Sequence, residues 1–473
     1  LFWKTSKAEV NHNRKSEKPS FTGTAFFIIA SLMKSLFSRS LLPFIGMALM
    51  FLSACSSKEK APRLIDKDVL YSCQQALDEC IIFDHFPPLQ ASRNYVYPHI
   101  AAYEALVPFF PGYRSLQGQL NDFPAIEKPD TSKSYNLDVV LIAAFEKTGS
   151  ALVYSRYLDT FRQKRFAELK KQMSASAFER SRSFGEAVAD AVLAWAKKDG
   201  FPKTRNAPQY TPKNEVGKWQ PTTPDFARAI EPNWGTHRTL ALPNASFFIL
   251  PEPVQFDSLP GSEFMKATKE VLEVNKALTT EQSDIAWYWD DNPNMTHHFG
   301  HATINTFKLS PPGHWMGITR YATKKKETDL MQTSEAFTRV SIGIFDALIA
   351  CWEEKYRWEY IRPETVIRRY LEPNWSPVIQ TPAFPEYPSG HATASAASSR
   401  ILTGLFGAYS FSDSTVMQFG LQARTFEHFI AAADEAAMSR LYGGIHFRNG
   451  NEAGKLLGSK IAALHNEKLK TRK

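Results

Sequence analysis

Cysteine is scarce in this sequence: four in 473 residues, at positions 55, 73, 80 and 351. No Cys-x-x-Cys pair and no Cys/His zinc spacing occurs, which excludes a disulfide-built scaffold and a zinc module. Cys73 and Cys80 fall two turns apart in a helix-like segment. That is roughly 10 Å, too far for a bridge. With Cys351 they read as buried or free thiols. Long apolar runs are missing as well. The run Leu41 to Leu52 is shorter than the ~20 residues a membrane span requires. Internal repeats and low-complexity tracts are also absent, so no repeat architecture is expected. Charge of one sign is missing from most of the chain. Of the formal +8, residues 1 to 55 hold +5 (seven Lys/Arg against Glu9 and Glu17), leaving +3 for the rest. A mixed, solvated surface follows, and no nucleic-acid partner is expected.

What is present describes a globular chain: 43% hydrophobic and 22% charged residues, enough for a large core. The N-terminus reads as an address. Met33-Lys34 and Arg39 precede the apolar run, which closes on Leu52-Ser53-Ala54-Cys55. A basic segment, a short apolar segment and small residues form a secretory signal, and Cys55 at the cut resembles the bacterial lipoprotein box. The expectation is export, cleavage before Cys55 and a lipid anchor on that Cys, on the periplasmic or cell-surface side. Residues 1–32 read as an over-extended upstream segment, 33–54 as the signal, 55–63 as a tether and 64–473 as one domain. The motif-bearing part is 327–470.

The domain reads as all-α. Helices are expected near Asp66 to Phe83 and from Ala91, then three more over 136–199, with Ser174 as an N-cap and Phe184, Val188, Val192 and Trp195 as one stripe. Gly200 to Pro260 is rich in Pro, Asn, Trp and Thr and lacks periodicity. It keeps too many large apolar residues for a flexible linker, and reads as an ordered excursion rimming the site. Helices resume at Ser262 to Lys276 and Thr280 to Trp289. His297 and His301 have i, i+4 spacing and would share a helix face. Without an intervening Glu or a third ligand, a structural or substrate-facing role outweighs a metal site. Pro311 to Trp315 reads as a turn. Glu327 to Ile361 is the longest helical pattern, placing Lys355 and Arg362 two turns apart on one face, with Glu359 available to one of them.

The stretch Phe384-Pro385-Glu386-Tyr387-Pro388-Ser389-Gly390-His391 is an extended Pro-rich loop that turns into a small-residue helix. It delivers Ser, Gly and His to a helix N-terminus, where free N–H groups and the dipole favour an anion. Downstream, Ser439-Arg440 ends a helix, Gly443-Gly444 breaks it and His446 follows. Each piece alone has a bland reading. Together, Lys355-x6-Arg362-Pro363, Pro388-Ser389-Gly390-His391 and Ser439-Arg440-x5-His446 supply three cations, a hydroxyl, a backbone donor and two imidazoles. That set suits a multiply charged oxyanion.

This tripartite pattern resembles the superfamily joining vanadium-dependent haloperoxidases, type 2 phosphatidic acid phosphatases and bacterial acid phosphatases. The resemblance extends to the bacterial haloperoxidase-like branch through Ala91 to Ala105, Pro311 to Trp315 and Gly444 to Arg448. It implies helical bundles with the three segments meeting at one end. It implies vanadate (or a phosphate-like oxyanion) held by Lys355, Arg362, Ser389, Gly390, His391 and Arg440. His446 would be the vanadium ligand in a peroxidase or the phosphorylated nucleophile in a phosphatase. His391 would be the acid–base group, and Lys355 would polarise peroxide. Phe384 falls where the family tunes halide choice, and Asp290 or Asp291 resembles an acidic residue supporting the cradle. The partners implied are hydrogen peroxide and halide. Phosphomonoester hydrolysis is the alternative, since both oxyanions suit one cradle. A non-enzymatic surface lipoprotein that binds a ligand is a third reading.

Overall fold

The computed structural model of the chain describes residues 66 and 68–473, apart from 294, 300 and 306. The expected signal, Cys55 and the tether lie outside the described residues. Fourteen α-helices, four short 3-10 helices and two short hairpins make up the regular structure of the described chain. In order they are α1 (Asp68–Phe83), α2 (Pro88–Leu106), α3 (Leu137–Ser150), α4 (Tyr157–Leu169), α5 (Ala175–Ala196) and the short α6 (Phe201–Arg205). Then come α7 (Glu263–Lys276), α8 (Thr280–Tyr288), the hairpin β1 (Thr296–Phe299) with β2 (Ala302–Asn305), α9 (Pro311–Lys325) and α10 (Leu330–Trp358). The rest is α11 (Pro363–Tyr370), α12 (Gly390–Phe406), β3 (Phe411–Asp413) with β4 (Arg424–Phe426), α13 (Phe429–Tyr442) and α14 (Arg448–Lys468). Among the described residues no helix is long and apolar enough to cross a membrane.

Local chemistry explains most boundaries. Ser174 caps α5 by accepting from the Ala177 N–H at 3.2 Å, as its position predicts. Asp329 and Gln332 form a reciprocal capping box at the start of α10. This 29-residue helix is buried on nearly every side, from Leu330 to Lys355. A helix apolar all round belongs in a core, and α10 packs against α2, α9, α12 and α14. The N-terminal helices α1 to α5 form one bundle around α3, and α12 to α14 form another, with α12 and α14 against α10. Glycines let α14 reach α12 to backbone contact. A β-carbon at Gly454 would stand 2.5 Å from the Ser389 carbonyl, and one at Gly458 2.2 Å from that of Thr393.

The excursion after α6 is ordered, as its composition predicts. Trp219 and Trp234 are fully buried. Buried Asp346 on α10 accepts the N–H groups of Leu240, Ala241 and Leu242 at 2.6 to 3.0 Å. Farther back, Trp219 N–H donates to the Glu359 carbonyl at 2.7 Å.

Three expectations are corrected. The His297 segment is a β-hairpin, so His297 lies in strand β1 and His301 in the turn, and no helix face joins them. Pro311 to Trp315 is the first turn of α9, because Pro at N1 and N2 starts a helix without losing a bond it needs. The longest helix stops at Trp358, where Glu359 takes a left-handed conformation (φ 50°). Arg362 is therefore not on the Lys355 helix but is the N-cap of α11. Glu359 serves neither cation: it pairs with Lys213 at 2.5 Å and accepts from Tyr210 at 2.9 Å.

Candidate active site

Four chain breaks bring the motif residues together. The first is the left-handed turn at Glu359, which sends Arg362 back beside Lys355. The second is the 384–389 segment, stitched by Glu386 N–H to the Tyr360 carbonyl and Ser389 N–H to the Gly450 carbonyl, each 2.9 Å. Ser389 then caps α12, accepting from the Ala392 N–H at 3.4 Å and leaving its own O–H free to donate. The third is the end of α13, which presents Arg440. The fourth is Gly444, whose φ of +79° is a glycine conformation and turns the chain so that His446 faces inward.

All three cations are buried: Lys355 and Arg362 are 0% exposed and Arg440 1%. Lys355 Nζ donates to the Pro385 and Glu386 carbonyls at 2.8 and 2.9 Å, which leaves one of its three N–H groups. Arg362 donates to the Phe384 and Ile445 carbonyls at 2.9 and 2.8 Å, and its Nη1 stands 3.1 Å from His446 Nε2. Arg440 Nη1 lies 3.1 Å from His391 Nε2 and 3.4 Å from the Asp290 carbonyl. The Nη2 groups of Arg362 and Arg440 are buried with no partner. Orphaned guanidinium ends in a core are costly unless something else occupies the site. Phe384 covers the cations from one side: its ring lies 5.1 Å from Lys355 Nζ, 5.0 Å from the Arg362 guanidinium and 4.9 Å from the Trp352 ring.

The two imidazoles are distinct. His446 Nδ1 donates to Glu386 Oε1 at 2.7 Å, so its lone pair is on Nε2, toward the cations. Burial first, then Arg362 and Lys355, hold its pKa well below the ordinary value, and the ring is neutral. His391 accepts from Arg440 at Nε2. Arg440 can only donate, so the neutral ring keeps its lone pair on Nε2 and its proton on Nδ1, with the Asp290 backbone favouring the protonated form. Burial and Arg440 keep it neutral as well. Burial pulls Lys355 down to about 7 and both Arg362 and Arg440 to about 10. It pushes Glu386 up to about 7, against Arg362 and Lys355.

Glu386 is the residue that sequence reasoning missed. The signal was there: a lone carboxylate inside an apolar Pro-rich approach to Ser389. It accepts from both His446 and the Phe447 N–H (3.1 Å), and Gly450 makes room for it, since a β-carbon there would stand 2.2 Å from Oε1. The two candidate acidic residues separate. Asp290 pairs with Lys308 at 2.9 Å and lends its carbonyl to Arg440. Asp291 turns away to His314. Outside the cradle, a cavity of about 140 Å³ opens between Pro88, Ile230, Phe384, His391, Arg440 and Ile445, and the excursion rims it through Thr222, Thr223, Asp225 and Ala227.

This donor set fits an oxyanion such as vanadate. Two unpartnered guanidinium ends, one spare ammonium N–H, the Ser389 hydroxyl and the first turn of α12 are donors, and the Nε2 lone pairs of His446 and His391 face Arg362 and Arg440 among them. No group of three or more His, Cys, Asp or Glu able to hold a bare metal ion occurs among the described residues.

Fold and site thus define a predominantly helical protein with a buried, cation-lined pocket suited to an oxyanion and holding two neutral imidazoles. The comparisons narrow the class. A family model for the VCPO second helical-bundle domain matches residues 335–472. The crystal structure of a bacterial vanadium-dependent iodoperoxidase is 36% identical, with a TM-score of 0.82, covering 87% of this chain and 99% of that one. A holo bacterial vanadium-dependent chloroperoxidase, 17% identical with a TM-score of 0.63 over 83% of this chain and 92% of that one, shares the fold. No curated protein sequence matches. This chain belongs to the vanadium-dependent haloperoxidase family.

Proposed function

We propose that this protein oxidises halide with hydrogen peroxide, using vanadate held in the cradle. The near full-length match to a vanadium-dependent iodoperoxidase carries the reading. Arg362, Arg440, Lys355, the Ser389 hydroxyl and the Gly390 backbone would hold the vanadate oxygens, with His446 Nε2 as the protein ligand. When bound, vanadate supplies Lewis acidity that makes a peroxide oxygen open to attack by halide. Everything else is the work of the chain. Glu386 keeps the His446 proton on Nδ1 and so keeps Nε2 a ligand. His391 Nε2 is a neutral lone pair that accepts a proton from entering hydrogen peroxide and returns it to the departing oxygen. Lys355 gives its spare N–H to the oxygen under attack, and its charge is stabilised once an anion sits beside it. Phe384 and Trp352 exclude water from the cationic side. Overall, halide, hydrogen peroxide and one proton give hypohalous acid and water.

The test assays one purified preparation for peroxide-dependent halide oxidation with added orthovanadate, and for phosphomonoester hydrolysis without it. Halide oxidation is expected. Hydrolysis alone would make His446 the nucleophile of a phosphatase and overturn the proposal. Binding of neither vanadate nor phosphate by calorimetry would leave only the ligand-binding lipoprotein reading.

We also infer export with a lipid on Cys55, leaving the enzyme membrane-anchored on the periplasmic or cell-surface side. The support is Lys34 and Arg39 before Leu41 to Leu52, closing on Ser53-Ala54-Cys55. Incorporation of labelled fatty acid into the full chain, lost in Cys55→Ser, is the expected result. Equal labelling of both would overturn it.

A further inference from the structure

Next to the cradle stands a buried cluster that the chemistry above does not use. His314, in the first turn of α9, is 0% exposed and lies between two carboxylates. Its Nδ1 is 3.0 and 2.9 Å from the two Asp291 oxygens, and its Nε2 is 2.7 Å from Asp413 Oδ2 on β3. Asp413 is fixed in turn by the Tyr288 hydroxyl at 2.7 Å and the Thr415 N–H at 2.9 Å. The His314 ring stacks on Trp289 with centroids 4.5 Å apart and planes 20° apart. Burial opposes charge on His314, but Asp291 and Asp413 outweigh it and push its pKa up to about 10. The ring is an imidazolium holding two donor bonds.

The second observation is in the backbone. Asp291 has a φ of +43°, a left-handed conformation that a residue with a β-carbon adopts only when its surroundings impose it. The preceding residue, Asp290, offers its carbonyl to Arg440 Nη1 at 3.4 Å, and the same Nη1 lies 3.1 Å from His391 Nε2. The direction of that carbonyl is set by the turn at Asp291, and the turn is gripped by His314.

We propose that His314 is a positioning residue: bridging Asp291 to Asp413, it locks the left-handed turn that aims the Asp290 carbonyl at Arg440 Nη1, the donor to His391 Nε2. The clamp thereby fixes which His391 nitrogen bears the proton, and so keeps Nε2 ready as a base. It touches neither anion nor peroxide, and acts through the loop. Its kinetic consequence rests on the haloperoxidase reading, whereas its consequence for the His391 tautomer does not.

The test uses full-length protein and three variants. Asp291→Ala removes the grip and keeps a β-carbon at the strained position. Asp291→Gly removes the same carboxylate but adopts the left-handed turn without strain. His314→Gln leaves the loop held at one end at most. In vanadate-free protein, long-range proton–nitrogen NMR of histidine-labelled samples should show the Nδ1–H form of His391 in wild type and Asp291→Gly. It should show a mixture in Asp291→Ala and His314→Gln. With vanadate saturating, kcat/KM for peroxide should fall about 10- to 100-fold in Asp291→Ala and His314→Gln. The fall in Asp291→Gly should be clearly smaller, with the KM for halide little altered in all three. Equal losses in Asp291→Gly and Asp291→Ala would overturn the proposal, as would an unchanged His391 tautomer. If His314→Gln does not fold, the Asp291 pair decides. If wild type oxidises no halide, the functional reading fails and the NMR comparison still decides the clamp.

Discussion

Lys355 is held for function against stability, and replacing it by Met exposes that conflict. The side chain is fully buried, and burial pulls its pKa from 10.5 to about 7. From about pH 7 to 10.5 the unfolded chain keeps a proton that the anion-free folded protein has given up, so stability rises with pH across this window. Below pH 7 both states carry the charge and the full penalty applies. At pH 7 the linkage corresponds to roughly 4 kcal/mol against folding. Lys355→Met keeps the apolar stem beside Trp352 and Phe384 and removes the charge. It also strips a donor from the Pro385 and Glu386 carbonyls, at about 1 kcal/mol each. The expected net gain is about 2 kcal/mol, within the range of buried charges replaced by apolar groups. Thermal unfolding from pH 6 to 9, with and without orthovanadate, reads it out. Without vanadate, Lys355→Met should melt higher than wild type and lose the rise with pH. With vanadate, its added stabilisation should shrink. A variant that melts lower without vanadate and keeps the full vanadate-induced shift would refute the reasoning.

Other outcomes follow from the same geometry. Glu386→Gln should weaken orthovanadate binding about 10- to 100-fold by calorimetry, because the amide no longer fixes the His446 proton on Nδ1. Gly450→Ala should reproduce much of that loss, since its β-carbon would overlap Glu386 Oε1. Vanadate affinity should fall as pH rises above about 7, where Lys355 deprotonates in the free site, by up to about tenfold per pH unit. Proton uptake on binding, measured in buffers of different ionisation enthalpy, checks the sign. Gly458→Val should lower stability by about 1–3 kcal/mol in thermal or urea unfolding, because α14 must move off the Thr393 carbonyl.

Much of this was legible in the chain. The spacing of Lys355, Arg362, Ser389, Gly390, His391, Arg440 and His446 proposed one pocket, and the fold brings those residues together. The Trp-rich excursion read as ordered because its large apolar residues needed burial, and Trp219 and Trp234 are buried. Helix period and caps located α1 to α5 closely. What stayed hidden depended on partners far apart in sequence. Glu386 meets His446 across 60 residues, and a lone carboxylate in the Pro-rich approach marks the position without naming its partner. His314 sat behind Pro-Pro-Gly, a turn signal that is equally a helix start. The break after α10 rests on a left-handed Glu359, where neither Gly nor Pro marks the site, so the helical period ran on to Ile361 by inertia. The hairpin around 296–305 was misread because an i, i+4 pair of His reports a helix only where a helix exists. Thr296, Thr303 and Ile304 are β-formers that pointed the other way.

The most direct test is iodide oxidation by full-length protein stripped of bound oxyanion, measured with hydrogen peroxide before and after addition of orthovanadate. The account predicts no activity in the stripped protein, saturable restoration by vanadate, and competition by phosphate for the same cradle. Oxidation that ignores stripping and vanadate, or none at any vanadate concentration despite a folded protein, would contradict it.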